Sequence, residues 1–301
     1  MTTLVRPIEP TPAAPAAVGR LRPPITRRGV VLAVLGIVAL VLVVVSWRAT
    51  EFGLGALVSG LGDMWTFLRS TMPPEFSSAN YPLSSMLQDV LSTIAMAVLG
   101  TALAMVLSIP LGFLAARNTT PHPAVRAIAR VIITGCRAVP DIIFALIFRE
   151  ALGIGVLPGV LALGLHSIGM LGKLYGDGIE QVPAGPREAI TATGAGRLQT
   201  IATAVVPFAS PAILSNALYR FDINLRSSVV LGFVGAGGIG FTLQADMNTL
   251  QFQLAMGIVI VITILILVLE FLAALLRSAL IGNDAPETGG GRSSRRRKAG
   301  G

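Results

Sequence analysis

The chain has 301 residues, of which 53% are hydrophobic and 13% charged, with a mean hydropathy of +0.76. Soluble domains carry about 25% charged residues, so this is the composition of a membrane protein rather than of a soluble enzyme. The net charge of +8 does not indicate nucleic-acid binding: Arg295, Arg296, Arg297 and Lys298 sit in a Gly/Ser-rich tail, and the other basic residues flank apolar runs, which is the pattern of membrane topology. The lone Cys136 lies in an apolar segment and permits neither an intrachain disulfide nor a cysteine-based metal cluster. At ~20 residues per span, this length accommodates roughly six spans and their loops. One polytopic all-α domain is expected.

Residues 1–28, with Pro7, Pro10, Pro12, Pro15, Pro23 and Pro24, lack apolar periodicity and read as a disordered cytoplasmic lead. Val30 to Val45 is a nearly uninterrupted aliphatic run preceded by Arg20, Arg22, Arg27 and Arg28. Without a clear A-x-A site it reads as an uncleaved first span. With Trp47, Trp65, Pro73, Pro74 and Tyr81, the stretch from Ser46 to about Ser85 has the aromatic character of an outer interfacial segment. A second span runs from Met86 to Ala116, and Arg117, Arg126 and Arg130 mark its end as cytoplasmic.

A third span is expected from Val131 to Phe148, and a fourth from Val156 to Tyr175. Next comes a polar segment carrying Arg187, Glu188, Arg197 and Gln199 among Ile190, Leu198, Ile201 and Val205, the pattern of an amphipathic helix outside the hydrocarbon. A fifth span follows from Pro207 to Val234, then an outer Gly-rich loop, then a sixth from Phe252 to Leu276 and a basic tail, 282–301. The outer segments hold only Arg48, Arg69 and Arg149, so both termini and the polar loop are expected in the cytoplasm.

The polar loop carries a spaced motif: Glu188-Ala189-Ile190, three residues, Gly194, nine residues, Ala204, one residue, Val206-Pro207. This resembles the EAA motif of ABC importer permeases, with Ile190, Ala204 and Val206 as conservative departures. Arg137-Ala138-Val139-Pro140-Asp141, the stretch His166 to Tyr175 and the stretch Arg220 to Ser228 narrow the likeness to the phosphonate-type permeases, over roughly residues 86–280. The resemblance implies a type I ABC importer permease fold, with a core over 86–281 and a coupling loop over 183–206. The first span and interfacial segment, 29–85, lie outside it. Glu188, Ala189, Gly194 and Pro207 then belong to a coupling helix docked on an ATPase subunit. The implied partners are two ATPases, a second copy of the permease and an extracytoplasmic binding protein, in the inner membrane of a bacterium. No cofactor or metal is implied.

Charges at bilayer depth cost at least ~2.5–3.5 kcal/mol and are pathway residues by default. Arg137, Asp141, Arg220, Asn224 and Arg226 are therefore candidates for a substrate pathway. Arg220 and Asn224 share one helical face with Ser227, while Asp222 and Arg226 form an i,i+4 pair on another. Guanidinium groups bind phosphate-like oxygens in bidentate fashion, so Arg137 and Arg220 can serve an oxyanion or can equally bridge Asp141, Asp222 or a helix end. Gly169, Gly172 and Gly176 form a small-residue packing stripe, His166 reads as hydrogen-bonded within the bundle, and Lys173 pairs with Asp177.

Gly235 to Gly240 satisfies G-x-G-x-x-G but follows a membrane span and opens no βαβ unit, so it does not read as a dinucleotide site. No P-loop, H-E-x-x-H or G-x-S-x-G occurs. The expected function is transport of phosphonate, phosphite or phosphate driven by separate ATPase subunits. The alternatives are an ion-driven secondary transporter of small anions and a permease for another solute such as methionine.

Overall fold

Residues 27–50, 53–78 and 81–281 are described in a computed structural model of the chain; the lead up to Thr26 and the tail 282–301 lie outside the described residues. The chain divides into two units, residues 1–66 and 67–301. In the first, α1 (Arg27–Ala49) is apolar on every side and buries none of its residues. A helix with no polar face and no protein cover is suited to lipid. The boundary between the units falls within α2 (Leu54–Ser70).

The second unit is built on a pair of helices, α3 (Leu83–Ala115) and α6 (Val156–Glu180). At 1.5 Å per residue α3 is about 50 Å long, more than a ~30 Å hydrocarbon core requires. Its buried stripe is made of small residues, among them Ala97, Gly100, Thr101, Ala104, Ser108 and Gly112. A Cβ on Gly100 would come within 2.9 Å of Leu163 Cβ, and one on Gly112 within 2.8 Å of Tyr175 Cβ. The glycines thus set the approach of the two backbones. Water-driven burial contributes little between helices in lipid, so this close packing holds the pair together.

The expected third span is instead two helices, α4 (Pro123–Ala138) and α5 (Asp141–Leu152), bent by 84°. Val139 is extended because it precedes Pro140, and Pro140 supplies no N–H to continue the ladder. The interruption is satisfied from α6, where His166 Nδ1–H donates to the Val139 carbonyl at 2.9 Å. α6 continues to Glu180, beyond the expected Tyr175.

A short helix, α7 (Ala184–Ala192), and a single turn, α8 (Arg197–Thr200), then lead through a π-type turn at Ile201–Val205 into α9 (Val206–Leu231). Beyond α9 the chain unwinds at Gly235 (φ +94°) and turns through Gly237 and Gly238. Where the sequence predicts a loop, α10 (Ile239–Asn248) packs beside the end of α9 and continues along α3 in the same direction as α9, Ile239 bonding Thr93 and Thr242 bonding Asp89, before α11 (Phe252–Ile281). A Cβ on Gly240 would overlap the Val229 carbonyl oxygen, so only glycine permits this close approach. Among the described residues, five helical stretches are long and apolar enough to cross a membrane, and the bent α4–α5 pair makes a sixth crossing if it counts as one span.

Candidate functional site

Two constructions carry the residues singled out from the sequence. The first is the segment between α6 and α9. Pro183 precedes α7 with extended backbone and so starts a new helix direction after α6. No residue of α7 is buried, and Glu188 and Ala189 are exposed. Gly194 adopts φ +83° with open space around its missing Cβ; glycine is required there by backbone conformation, not by crowding. Its N–H donates to the Thr191 carbonyl at 3.0 Å, closing the turn. Gln199 Oε1 then accepts the Gly196 N–H at 2.8 Å and starts α8.

Beyond the turn the segment is anchored. Thr200, Ala204 and Val205 are buried, and Val205 packs with Ala116, Ile179 and Ala209. Leu198 remains 81% exposed, and Pro207, which has no N–H to continue the ladder, follows directly on the π-type turn. The Arg197 guanidinium donates to the carbonyls of Thr120 and Pro121. These belong to the turn between α3 and α4, and the same end of the bundle is tied by Glu180, whose Oε1 accepts from Arg117 N–H at 2.8 Å and Arg130 Nη2 at 2.9 Å. A hollow of ≈510 Å³ opens between α7 and α8, lined by Asn118, Arg187, Glu188 and Arg197 among others. The exposed half thus presents a surface, and the anchored half joins it to α3, α6 and α9.

The second construction is a buried polar chain in the bundle. Arg220 is 4% exposed, and its Nε donates to Ser167 Oγ at 2.9 Å. Ser167 Oγ donates to Asn224 Oδ1 at 3.0 Å, Asn224 Nδ2 donates to Thr101 Oγ1 at 2.9 Å, and Thr101 Oγ1 donates to the Ala97 carbonyl at 2.7 Å. Three helices, α3, α6 and α9, are linked by it. Each side chain meets a partner, which is the condition for polar groups inside a bundle. Arg220 makes no ion pair among the described residues, and the carboxylate that acts on it electrostatically is that of Asp141, at the start of α5.

The other candidates lie apart. Arg226 is exposed and pairs with Asp222 at 2.7 Å and with Glu270 of α11 at 3.5 Å. Arg137, in the last turn of α4, packs against Gly169, whose Cβ would stand 2.5 Å from Arg137 N. Ser167 and Gly169 are two residues apart on α6, about 200° around a helix of 3.6 residues per turn. Arg137 and Arg220 therefore meet different faces of α6. Lys173 and Asp177 pair at 2.6 Å, as their spacing predicts.

Thr101 and Ser167 were not picked out as site residues from the sequence. Their signal is present: each is a small polar residue at helical spacing within a stripe of Gly and Ala, the positions at which membrane helices face one another. The Gly-rich turn is likewise built into the fold. Arg149 Nη1 donates to the Val234 carbonyl at 3.1 Å, Gly155 N–H to the Gly235 carbonyl at 3.1 Å, and Ile239 N–H to Thr93 Oγ1 at 2.9 Å.

Comparison with known proteins places this architecture. Residues 108–281 match the family described as binding-protein-dependent transport system inner membrane component. The chain is 51% identical over 238 residues to the phosphate-import permease protein PhnE of Mycolicibacterium smegmatis, covering 79% of this chain and 44% of that protein. It is 42% identical over 246 residues to the phosphite transport system permease protein PtxC of Stutzerimonas stutzeri, covering 81% and 88%. The chain thus spans less than half the length of the first relative and most of the second. A chain of the MetNI methionine ABC transporter in an inward-facing conformation superimposes with a TM-score of 0.56 at 20% identity, over 64% of this chain and 95% of that one. That likeness is one of fold, and the fold is that of type I ABC importer permeases. With the family pattern running from within α3 to the end of α11 and more than 40% identity to two permeases, this multi-pass membrane chain belongs to the binding-protein-dependent transport system inner-membrane components.

Proposed function

We propose that the chain is the membrane subunit of an ATP-driven importer of a phosphorus oxyanion: phosphonate, phosphite or phosphate. The observation that carries the reading is the α7–α8 segment, an exposed helix with Glu188 at its surface, turned at Gly194 and fastened to the bundle behind it. The oxyanion assignment rests on the phosphate and phosphite named for the two relatives. The chain itself performs no catalysis in this reading; hydrolysis belongs to two ATPase subunits, each docked on the coupling segment of one of two permease copies. An extracytoplasmic binding protein delivers the substrate, and both termini lie in the cytoplasm. Neither nucleic acid nor a cofactor takes part.

The mechanism follows from the anchoring. Closure of the ATPases displaces α7, and the displacement passes through Pro183 to α6, through the π-type turn to α9, and through Arg197 to the α3–α4 turn. These are the helices joined by Thr101, Ser167, Asn224 and Arg220. A shift between them rearranges that chain and opens the pathway to the other side. Arg220 offers the passing oxyanion a deep positive charge opposite Asp141, with its terminal nitrogens unbonded to the described residues. Arg226, neutralised by Asp222 and Glu270, serves helix pairing.

Glu188→Arg tests the reading in the complex of permease and ATPases, purified and reconstituted with its binding protein. The expected result is loss of ATPase association or of substrate-stimulated hydrolysis by about tenfold or more, ~1.4 kcal/mol of coupling. Retained association with undiminished stimulation would overturn it, as would uptake into vesicles that hold no nucleotide.

A further inference from the structure

The cleft between α4 and α6 is a second candidate site, apart from Arg220. It measures ≈190 Å³ and lies at the end of the bundle that carries α7, lined by Arg130, Ile133, Arg137, Gly172, Lys173 and Asp177 among others. Arg130 and Arg137 are two helical turns apart on one face of α4. Lys173 approaches from α6, and the missing side chain at Gly172 keeps the floor open: a Cβ there would stand 3.0 Å from Ile133 Cγ1.

The donors in this cleft exceed the acceptors. Arg130 uses Nη2 on Glu180 and Nε on the Ala115 carbonyl, and Lys173 uses one of its three N–H groups on Asp177. Arg137 is exposed and makes no ion pair or hydrogen bond among the described residues. Three cations thus face the two carboxylates Asp177 and Glu180, leaving one positive charge and a full guanidinium fork uncommitted. At about 30 Å³ per water molecule, the space holds a tetrahedral phosphate group with bridging waters. The exposed Ile128, Val131 and Ile132 lie on the side of α4 turned away from the cleft, and the apolar lining within it is Ala115 and Ile133.

We infer that this cleft binds a phosphate group through Arg137, with Lys173 and Arg130 completing the charge. A fork that takes two oxygens at once, a nearby ammonium and a partly apolar surround are what a phosphate group recognises. Two sources share that chemistry. One is the headgroup of an anionic phospholipid, for which basic pockets between membrane helices are known binding places. The other is a free phosphate-class oxyanion held on the α7 side. The inference goes beyond the transport reading and does not depend on it, since Arg220 lies against another face of α6.

The test uses the full-length chain in neutral detergent, with Arg137→Gln, Lys173→Gln and, as a control losing equal charge in α1, Arg48→Gln. One arm measures by native mass spectrometry the retention of phosphatidylglycerol against phosphatidylcholine. The other measures thermal unfolding with inorganic phosphate against chloride at equal ionic strength. A preference of roughly tenfold for phosphatidylglycerol, lost in Arg137→Gln and kept in Arg48→Gln, assigns the site to lipid. A saturable rise in Tm with phosphate, lost in the same variant, assigns it to the free oxyanion. If neither effect depends on Arg137, the inference is overturned. Should Arg137→Gln not yield a monodisperse protein, Lys173→Gln makes the same comparison, with a severalfold weakening expected and an unchanged preference counting against the site.

Discussion

Single side chains in the bundle interior divide into those that hold helices together and the one that offers charge. Thr101, Ser167 and Asn224 satisfy one another across three helices, and Arg220 is fastened to them by Nε alone. Arg220→Gln should therefore reduce oxyanion uptake by about tenfold, ~1.4 kcal/mol, while assembly and basal ATP hydrolysis persist; loss of assembly would instead make Arg220 a structural residue. Ser167→Ala is expected to act through Arg220. Neutral hydrogen bonds between membrane helices are worth about 0.6 kcal/mol, whereas bonds to a charged group are worth about 1.5–3 kcal/mol. Ser167→Ala should thus destabilise more than Thr101→Val, as read by unfolding in mixed micelles. It should also raise KM for the oxyanion, a change that a packing defect alone does not produce.

At the scale of elements, the breaks matter more than the helices. Pro140 splits one expected span into α4 and α5, and the carbonyl freed at Val139 is taken up by His166. The Gly194 turn divides α7 from α8, and its left-handed backbone costs a non-glycine residue about 1–2 kcal/mol. Gly194→Val is expected to leave the bundle folded, since open space surrounds the position, but to misdirect α7. The measurement is the ratio of substrate-stimulated to basal ATPase activity, which should fall severalfold. Gly194→Asn, which tolerates this conformation better, should recover much of it. The spacing of Glu188, Gly194 and Pro207 was legible because a polar segment between two spans must turn and re-enter the bundle within a set length. That α8 is tied back by Arg197 to Thr120 and Pro121 was not, because it joins residues 77 and 76 positions apart.

At the scale of the molecule, the two ends of the bundle differ in character, and the proposed orientation follows from that difference. The basic ends of α3 and α4 and the α7–α8 segment share one end, while Arg149, the Gly-rich turn and the exposed Leu250 stand at the other. In a Cys136→Ser background, Thr193→Cys should react with a membrane-impermeant thiol reagent only after the cells are permeabilised. Leu250→Cys should react in intact cells. The reverse pattern would invert the proposed orientation.

Composition and hydrophobic runs determined by themselves that this is a polytopic helical membrane protein, because a ~20-residue apolar run has few alternatives to crossing a bilayer. The spacing about Glu188 determined the family resemblance, and i,i+4 spacing determined the pairs Lys173–Asp177 and Asp222–Arg226, both local consequences of helix geometry. Which interior charges belong together was decided only by the tertiary structure. Arg137 and Arg220 look equivalent as buried cations in the sequence, yet α6 meets one on the face of Gly169 and the other on the face of Ser167. The rotation of that helix against α3, set by Gly100 and Gly112, depends on backbone approach between residues about sixty positions apart. No pattern within a single helix contains it.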